Sequence, residues 1–173
     1  MDSVKSLFMQ SVDAVLPKHC LQNVLSVVDA GELRIQDRTI PLENGCFVVG
    51  FGKAVLGMAC ELERLLAGRI RAGILSIPVG QTEMFRSCPD MRLSHDTKIR
   101  VIEGARDNLP DELSLRAARE IREMVASLGD DDVLIVLISG GGRALLPAPT
   151  PPITLAEKAE LVRNMSRAGA DIW

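Results

Sequence analysis

Six apolar residues in succession, Val133-Leu134-Ile135-Val136-Leu137-Ile138, run without a polar break into Ser139-Gly140-Gly141-Gly142. A half-exposed strand alternates polar and apolar side chains, so an unbroken run bounded by turn residues predicts a strand buried on both faces. Two other stretches share the pattern: Cys46-Phe47-Val48-Val49, leading into Gly50-Phe51-Gly52-Lys53, and Ala72 to Ile77, stopped by Pro78. A shorter strand fits Arg100 to Glu103. Helical spacing lies between them, with Val55, Leu56, Ala59, Leu62 and Leu66 after the first glycine turn. Buried strands alternating with helices predict an α/β fold, doubly wound, with a mainly parallel sheet and helices on both faces. Such sheets bind ligands beyond the carboxyl ends of their strands, where both glycine turns fall.

The remaining segments frame this unit. Leu7, Phe8, Val12, Val15 and Leu16 repeat with helical spacing up to Pro17, and Leu21, Val24, Leu25 and Val28 continue it to Gly31, which predicts a helical opening. Leu33 and Ile35 before Gln36-Asp37-Arg38, with Ile40 and Leu42 after it, suit a small hairpin. Asn108-Leu109-Pro110-Asp111-Glu112 reads as a helix start, with Asn108 as cap, an early proline and acids in the first turn. That helix buries Leu113, Leu115, Ala118, Ile121, Met124, Val125 and Leu128 and ends at Gly129. After the proline-rich Pro147 to Pro152, Thr154 and Glu157 form a capping box for a last helix ending near Gly169.

At 173 residues and 47% hydrophobic content the chain can bury one ordinary core, and a single domain over 1–173 is expected. Its formal net charge of -3 is spread along the chain and aromatic content is only 3%, which argues against a nucleic-acid partner. The longest apolar run falls far short of the roughly 20 residues of a membrane-spanning helix, so a soluble protein with no membrane partner is expected. The first residues carry neither a secretory nor a transit-peptide pattern. Cys20, Cys46, Cys60 and Cys88 are widely spaced, which reads as free thiols in a reducing compartment. A cytoplasmic address follows, or a mitochondrial one if a presequence precedes these residues.

Three consecutive glycines after a strand let the backbone adopt positive φ and let a ligand approach main-chain N–H groups, so Ser139, Gly140, Gly141 and Gly142 predict a cradle for a phosphate or carboxylate. A helical turn over Arg143 to Leu146 would add its unpaired N–H groups, and the Ser139 hydroxyl one further donor. The plainer reading is a tight turn with nothing bound. Gly50-Phe51-Gly52-Lys53 lacks the spacing of a P-loop, and Val55 stands where a dinucleotide fingerprint needs glycine. Lys53 is more informative, because a cation at a helix start opposes the macrodipole unless an anion offsets it. Arg143 poses the same question, and for both the plainer reading is a solvated side chain. Phosphoryl transfer asks for electrostatic positioning more than covalent help, so these features suit a kinase. His19 and His95 are isolated and receive no role, and no metal-ligand cluster is visible. Glu103 and Asp107 follow a strand end within reach of the cleft, whereas Asp111 and Glu112 read as helix-start residues.

Three motifs in order, Val48-Val49-Gly50-Phe51-Gly52-Lys53-Ala54, then Glu103-Gly104-Ala105 with Asn108 to Glu112, then Leu137 to Gly142 with Ala144 to Pro149, resemble the N-terminal domain of glycerate kinases that carry a leucine-rich C-terminal domain. The resemblance runs from the first helix to about Asp171. It implies a Rossmann-like domain, ATP-dependent phosphorylation of D-glycerate with Mg2+, and a cleft closed by a second, smaller domain. It makes Lys53 the catalytic residue, with Gly50, Gly52, Ser139, Gly140, Gly141, Gly142 and Arg143 binding phosphate or substrate. The family usually carries serine where Arg143 stands. It also continues beyond the point where this sequence stops, so the expectation is a truncated chain without its C-terminal domain, weak or inactive alone. A different class of reading is a non-catalytic spliced or truncated product that binds ligand, self-associates or pairs with a full-length protein. A nucleotide-binding module of an oxidoreductase is the third, opposed by Val55.

Overall fold

Where the apolar spacing changes from helical to extended, the backbone changes with it. A computed structural model describes residues 2–28, 31–66 and 68–170. The chain begins with helices α1 (Asp2–Ala14) and α2 (Pro17–Gln22) and strands β1 (Leu25–Val28), β2 (Glu32–Ile35) and β3 (Arg38–Pro41). Then come β4 (Cys46–Phe51), α3 (Val55–Leu66), β5 (Ile70–Pro78), α4 (Gln81–Met84), β6 (Ile99–Gly104) and α5 (Glu112–Ala126). The last elements are β7 (Val133–Ile138), α6 (Gly142–Leu145) and α7 (Leu155–Arg167).

Strands β4 to β7 form one sheet in the order β6-β5-β4-β7 with every neighbouring pair parallel. From β4 the chain moves outward through β5 to β6, then crosses back to place β7 on the other side of β4. The direction of winding therefore reverses between β4 and β7, and it is beyond the carboxyl ends at such a reversal that sheets of this kind receive ligands. Helix α3 covers one face, burying Val55, Leu56, Ala59, Leu62 and Leu66 against Val48, Leu75 and Ile77. Helix α5 covers part of the other, with Ile121 packed on Val49 and Ile74. This is the doubly wound α/β arrangement that the alternation of runs predicts. Among the described residues no helix is long and apolar enough to cross a membrane.

Four expectations need correction. The helical spacing through Val24, Leu25 and Val28 does not continue as helix. Instead α2 stops at Gln22, and Leu25–Val28 is a strand paired antiparallel with β2. Short apolar spacings fit both periods, and pairing Leu25 with Ile35 decides for the strand. The hairpin is thus part of a three-stranded antiparallel sheet.

Second, β7 is not buried on both faces. It is an edge strand whose Leu137 points into the α3 side, while Val136 and Ile138 are 47% and 62% exposed on the other. Helix α5 lies over β5 and β6 and leaves that flank of β7 open. Third, α5 begins at Glu112 with Asp111 as its cap: the Asp111 carboxylate accepts from Ser114 N at 2.8 Å, and Asp111 N donates to Ser114 Oγ at 2.9 Å. Asn108 lies earlier, with a positive φ of 58°. The helix stops at Ala126, and Leu113 and Val125 face solvent. Fourth, Lys53 precedes α3 rather than lying in its first turn. The Thr154–Glu157 capping box forms as expected.

Denaturant unfolding of the chain checks the asymmetry of β7. Leu137→Ala should cost about 2–5 kcal/mol, and Ile138→Ser less than about 0.5 kcal/mol. Equal losses would mean that the open flank is covered in solution.

Candidate anion site at the carboxyl ends of the strands

The first glycine turn is closed by its own neighbours. As β4 ends, Gly52 N donates to Ser76 O at 3.2 Å, Lys53 N to Gly140 O at 2.9 Å, and Ala54 N to Ser139 Oγ at 3.0 Å. Three successive amides are thus occupied within the fold. Gly52, at φ 137°, lies flat on Ser139, where a Cβ would come within 2.7 Å of the Ser139 carbonyl oxygen. Gly50 lies inside the sheet, and a Cβ there would meet Leu75 Cδ2 at 2.8 Å. Packing alone accounts for both glycines.

The second turn is built differently. Ser139 N donates to Phe51 O at 3.3 Å, which fixes the turn to the end of β4. Gly141, at φ 91°, supports the Lys53 stem, and a Cβ on Gly142 would strike the Phe51 ring at 2.8 Å. At Gly140, by contrast, a Cβ would meet nothing within 4 Å and φ is not left-handed. Among the described residues, the N–H groups of Gly140 to Arg143 have no acceptor. The Ser139 hydroxyl accepts from Ala54 and keeps its own proton to donate. Lys53 and Arg143 are exposed, and neither forms an ion pair among the described residues. Donors and cations left without an ion-pair partner are the features expected of a site for an oxyanion.

The nearby acids are held elsewhere. Glu103, at the end of β6, accepts from Gly80 N at 2.7 Å, Thr82 N at 2.8 Å and Thr82 Oγ1 at 2.5 Å. Partial burial alone would raise its carboxyl, but these hydrogen bonds outweigh burial and hold it below the usual glutamate range. Burial likewise opposes ionisation of Asp111, and the amides of Ser114, Ala105 and Arg106 with the Ser114 hydroxyl reverse the sign. Asp107 is exposed, in a loop where it and Ala105 take positive φ of 57° and 55°. His19 approaches Asp13 at 3.4 Å and His95 is an exposed loop residue, both remote from the glycine turns in the sequence of elements.

Two residues that the sequence pattern does not single out belong to this end of the sheet. Buried Ser76 donates to Leu145 O at 2.5 Å, tying α6 to β5. Buried Gln81 donates from Nε2 to the Lys53 carbonyl at 2.5 Å. The only sequence signal was their place: Ser76 near the end of a strand, Gln81 after a Pro-x-Gly turn. A separate cavity of about 580 Å3 lies beside the start of β5 and β6, lined by Glu63, Arg64, Arg92, Asp96 and Lys98. There Glu63 accepts from Ser94 N and Arg64 pairs with Glu61 and Asp90, while Arg92 and Lys98 form no ion pair among the described residues. The glycine turns, with donors left free, are the better candidate.

A family model described as "Domain of unknown function (DUF4147)" matches residues 3–173. The chain is 47% identical to a Bos taurus glycerate kinase over 99% of its own length and 33% of the relative's. It spans about one third of the curated relatives it matches. Among solved structures, a Pyrococcus horikoshii protein superposes with a TM-score of 0.76 at 24% identity, covering 98% of this chain and 36% of that one. A glycerate kinase from Thermotoga maritima superposes at 0.67 and 23% identity, covering 99% and 37%. These two likenesses speak to the fold.

Glu103→Gln tests how the strand ends are held. The Glu103 carboxyl lies below its ordinary value of 4.5 when folded, so its contribution is complete above that pH and is lost as pH falls through and below it. The substitution should cost about 1–3 kcal/mol at pH 7. Thermal unfolding of the two proteins should converge as pH falls below the ordinary glutamate range. A gap that stays constant with pH would contradict an ionised Glu103 in this role.

Proposed function

The chain is a member of the DUF4147 family, and from that footing we propose that it is the N-terminal part of a glycerate kinase that transfers phosphate from ATP to D-glycerate. What supports the reading is one juxtaposition: an unpaired Lys53 beside the free N–H groups of Gly140 to Arg143, in a chain 47% identical to a glycerate kinase. The transferring phosphoryl group carries charge on its equatorial oxygens, and fixed donors aimed at that charge do most of what a protein can do for the reaction. The Gly140 to Arg143 amides and the Ser139 hydroxyl hold an oxyanion, either the phosphoryl group or the glycerate carboxylate. Lys53 supplies a full positive charge on the same side. Arg143 adds a second cation at the lip of the turn and strengthens binding of a multiply charged ligand.

Mg2+ accompanies ATP in this reading, where such an ion is held chiefly by the phosphates and waters with one or two carboxylates. The described residues contain no group of three or more His, Cys, Asp or Glu side chains placed to hold a metal, and Glu103 and Asp111 are engaged by amides. No step is therefore assigned to the ion here. Because the 173 residues match one third of the relatives' length, the reaction also draws on protein beyond the domain described. A reducing compartment, the cytoplasm, suits four free cysteines. Burial pushes the thiols of Cys46 and Cys60 up to about 11 and about 12, which leaves them unreactive.

A chimera in which residues 1–173 replace the matching third of the Bos taurus enzyme provides the test. It should release ADP in a D-glycerate-dependent manner, whereas the 173-residue chain alone should give less than about a hundredth of that rate. Lys53→Met in the chimera should lower kcat about 100- to 1000-fold. A folded chimera that binds ATP yet never uses glycerate would remove the proposal.

A further inference from the structure

We propose that Gln81 is a positioning residue for Lys53, clamping the Lys53 carbonyl so that the ammonium is delivered to the free amides of the second glycine turn. The direction in which a side chain leaves the backbone is set by two soft dihedrals, and fixing the peptide planes on both sides of the Cα fixes that direction. At Lys53 one plane is held by its N–H donating to Gly140 O at 2.9 Å. The other is held by its carbonyl accepting from Gln81 Nε2 at 2.5 Å. With both planes held, the stem leaves along Gly141, where a Cβ would crowd Lys53 Cε at 3.1 Å. A lysine otherwise free in solvent is thereby directed.

Gln81 is itself held on both sides. The Glu103 carboxylate accepts from the amides of Gly80 and Thr82, the residues flanking it. Its side chain is buried at 8% exposure, yet Oε1 has no hydrogen-bond partner among the described residues. A buried amide with one half unpaired is a poor choice for packing, because an apolar side chain of equal length would avoid burying that oxygen. Packing alone therefore does not account for glutamine at this position, whereas its hydrogen bond to the Lys53 carbonyl does. The inference rests on the reading of Lys53 as the cation that meets the anion.

The test uses the 173-residue chain with Gln81→Met, which keeps length but cannot donate, and Gln81→Glu. Amide hydrogen exchange reads the clamp, and titration with inorganic phosphate followed by NMR reads its consequence. Gln81→Met should lower protection of the Lys53 and Ala54 amides tenfold or more, leave those of Val48 and Leu75 unchanged, and weaken phosphate binding at least fivefold. In Gln81→Glu the ionised carboxylate cannot donate to the Lys53 carbonyl, so protection of the turn should be lost at neutral pH. It should return as the carboxyl is protonated, a rescue that a packing role does not give. Turn protection within twofold of the parent in Gln81→Met, or loss spread evenly through β4 and β5 in both variants, would overturn the proposal. If the turn loosens as expected but the parent chain binds no phosphate, the clamp stands and the anion reading of Lys53 falls.

Discussion

The carboxyl ends of four parallel strands are joined by a single run of hydrogen bonds, and the site depends on it. Glu103 at the end of β6 holds the turn after β5, and Gln81 in that turn holds the carbonyl of Lys53 after β4. The amides of Lys53 and Ala54 in turn hold Gly140 and Ser139 after β7. Parallel strands leave unpaired peptide groups where they stop, and such groups are costly if they find neither water nor a partner. Here they find each other laterally, so each turn is positioned by the next strand rather than by its own sequence.

This lateral bonding divides the two glycine turns by role. In the first, Gly52, Lys53 and Ala54 have their amides occupied, and the turn contributes a side chain to the site. In the second, the amides of Gly140 to Arg143 remain free among the described residues, and the turn contributes backbone. The close fit of Gly52 on Ser139 brings the two contributions together at the point where the winding of the sheet reverses. Gly140 is the informative residue of the three. Gly141 and Gly142 are explained by the Lys53 stem and the Phe51 ring, whereas nothing within the described chain requires glycine at 140.

Much of this was legible in the sequence because continuous apolar runs and turn residues are local signals. The runs at Cys46 and Val133 with glycines behind them marked the strand ends, whereas Lys53 was singled out as a cation in the first turn of a helix and in fact precedes α3. Three things were not legible. The run through Val136 and Ile138 shows that the strand is apolar on both faces, but not which segment covers each face. The spacing of Leu21, Val24, Leu25 and Val28 fits a helix until β2 offers a ladder to pair with. Gln81 reads as an ordinary polar turn residue, since its burial and its hold on Lys53 arise from an element 28 residues away in sequence. In each case the deciding partner is distant along the chain.

The central claim is that an oxyanion is received by the amides of the second turn and not by those of the first. A 1H–15N NMR titration of the chain with D-glycerate tests it residue by residue. The largest amide shifts are expected at Gly140, Gly141, Gly142 and Arg143, with Gly52, Lys53 and Ala54 moving little because their amides are already bonded. Largest shifts at Gly52 to Ala54, or around Arg92 and Lys98 at the other end of the sheet, would contradict it.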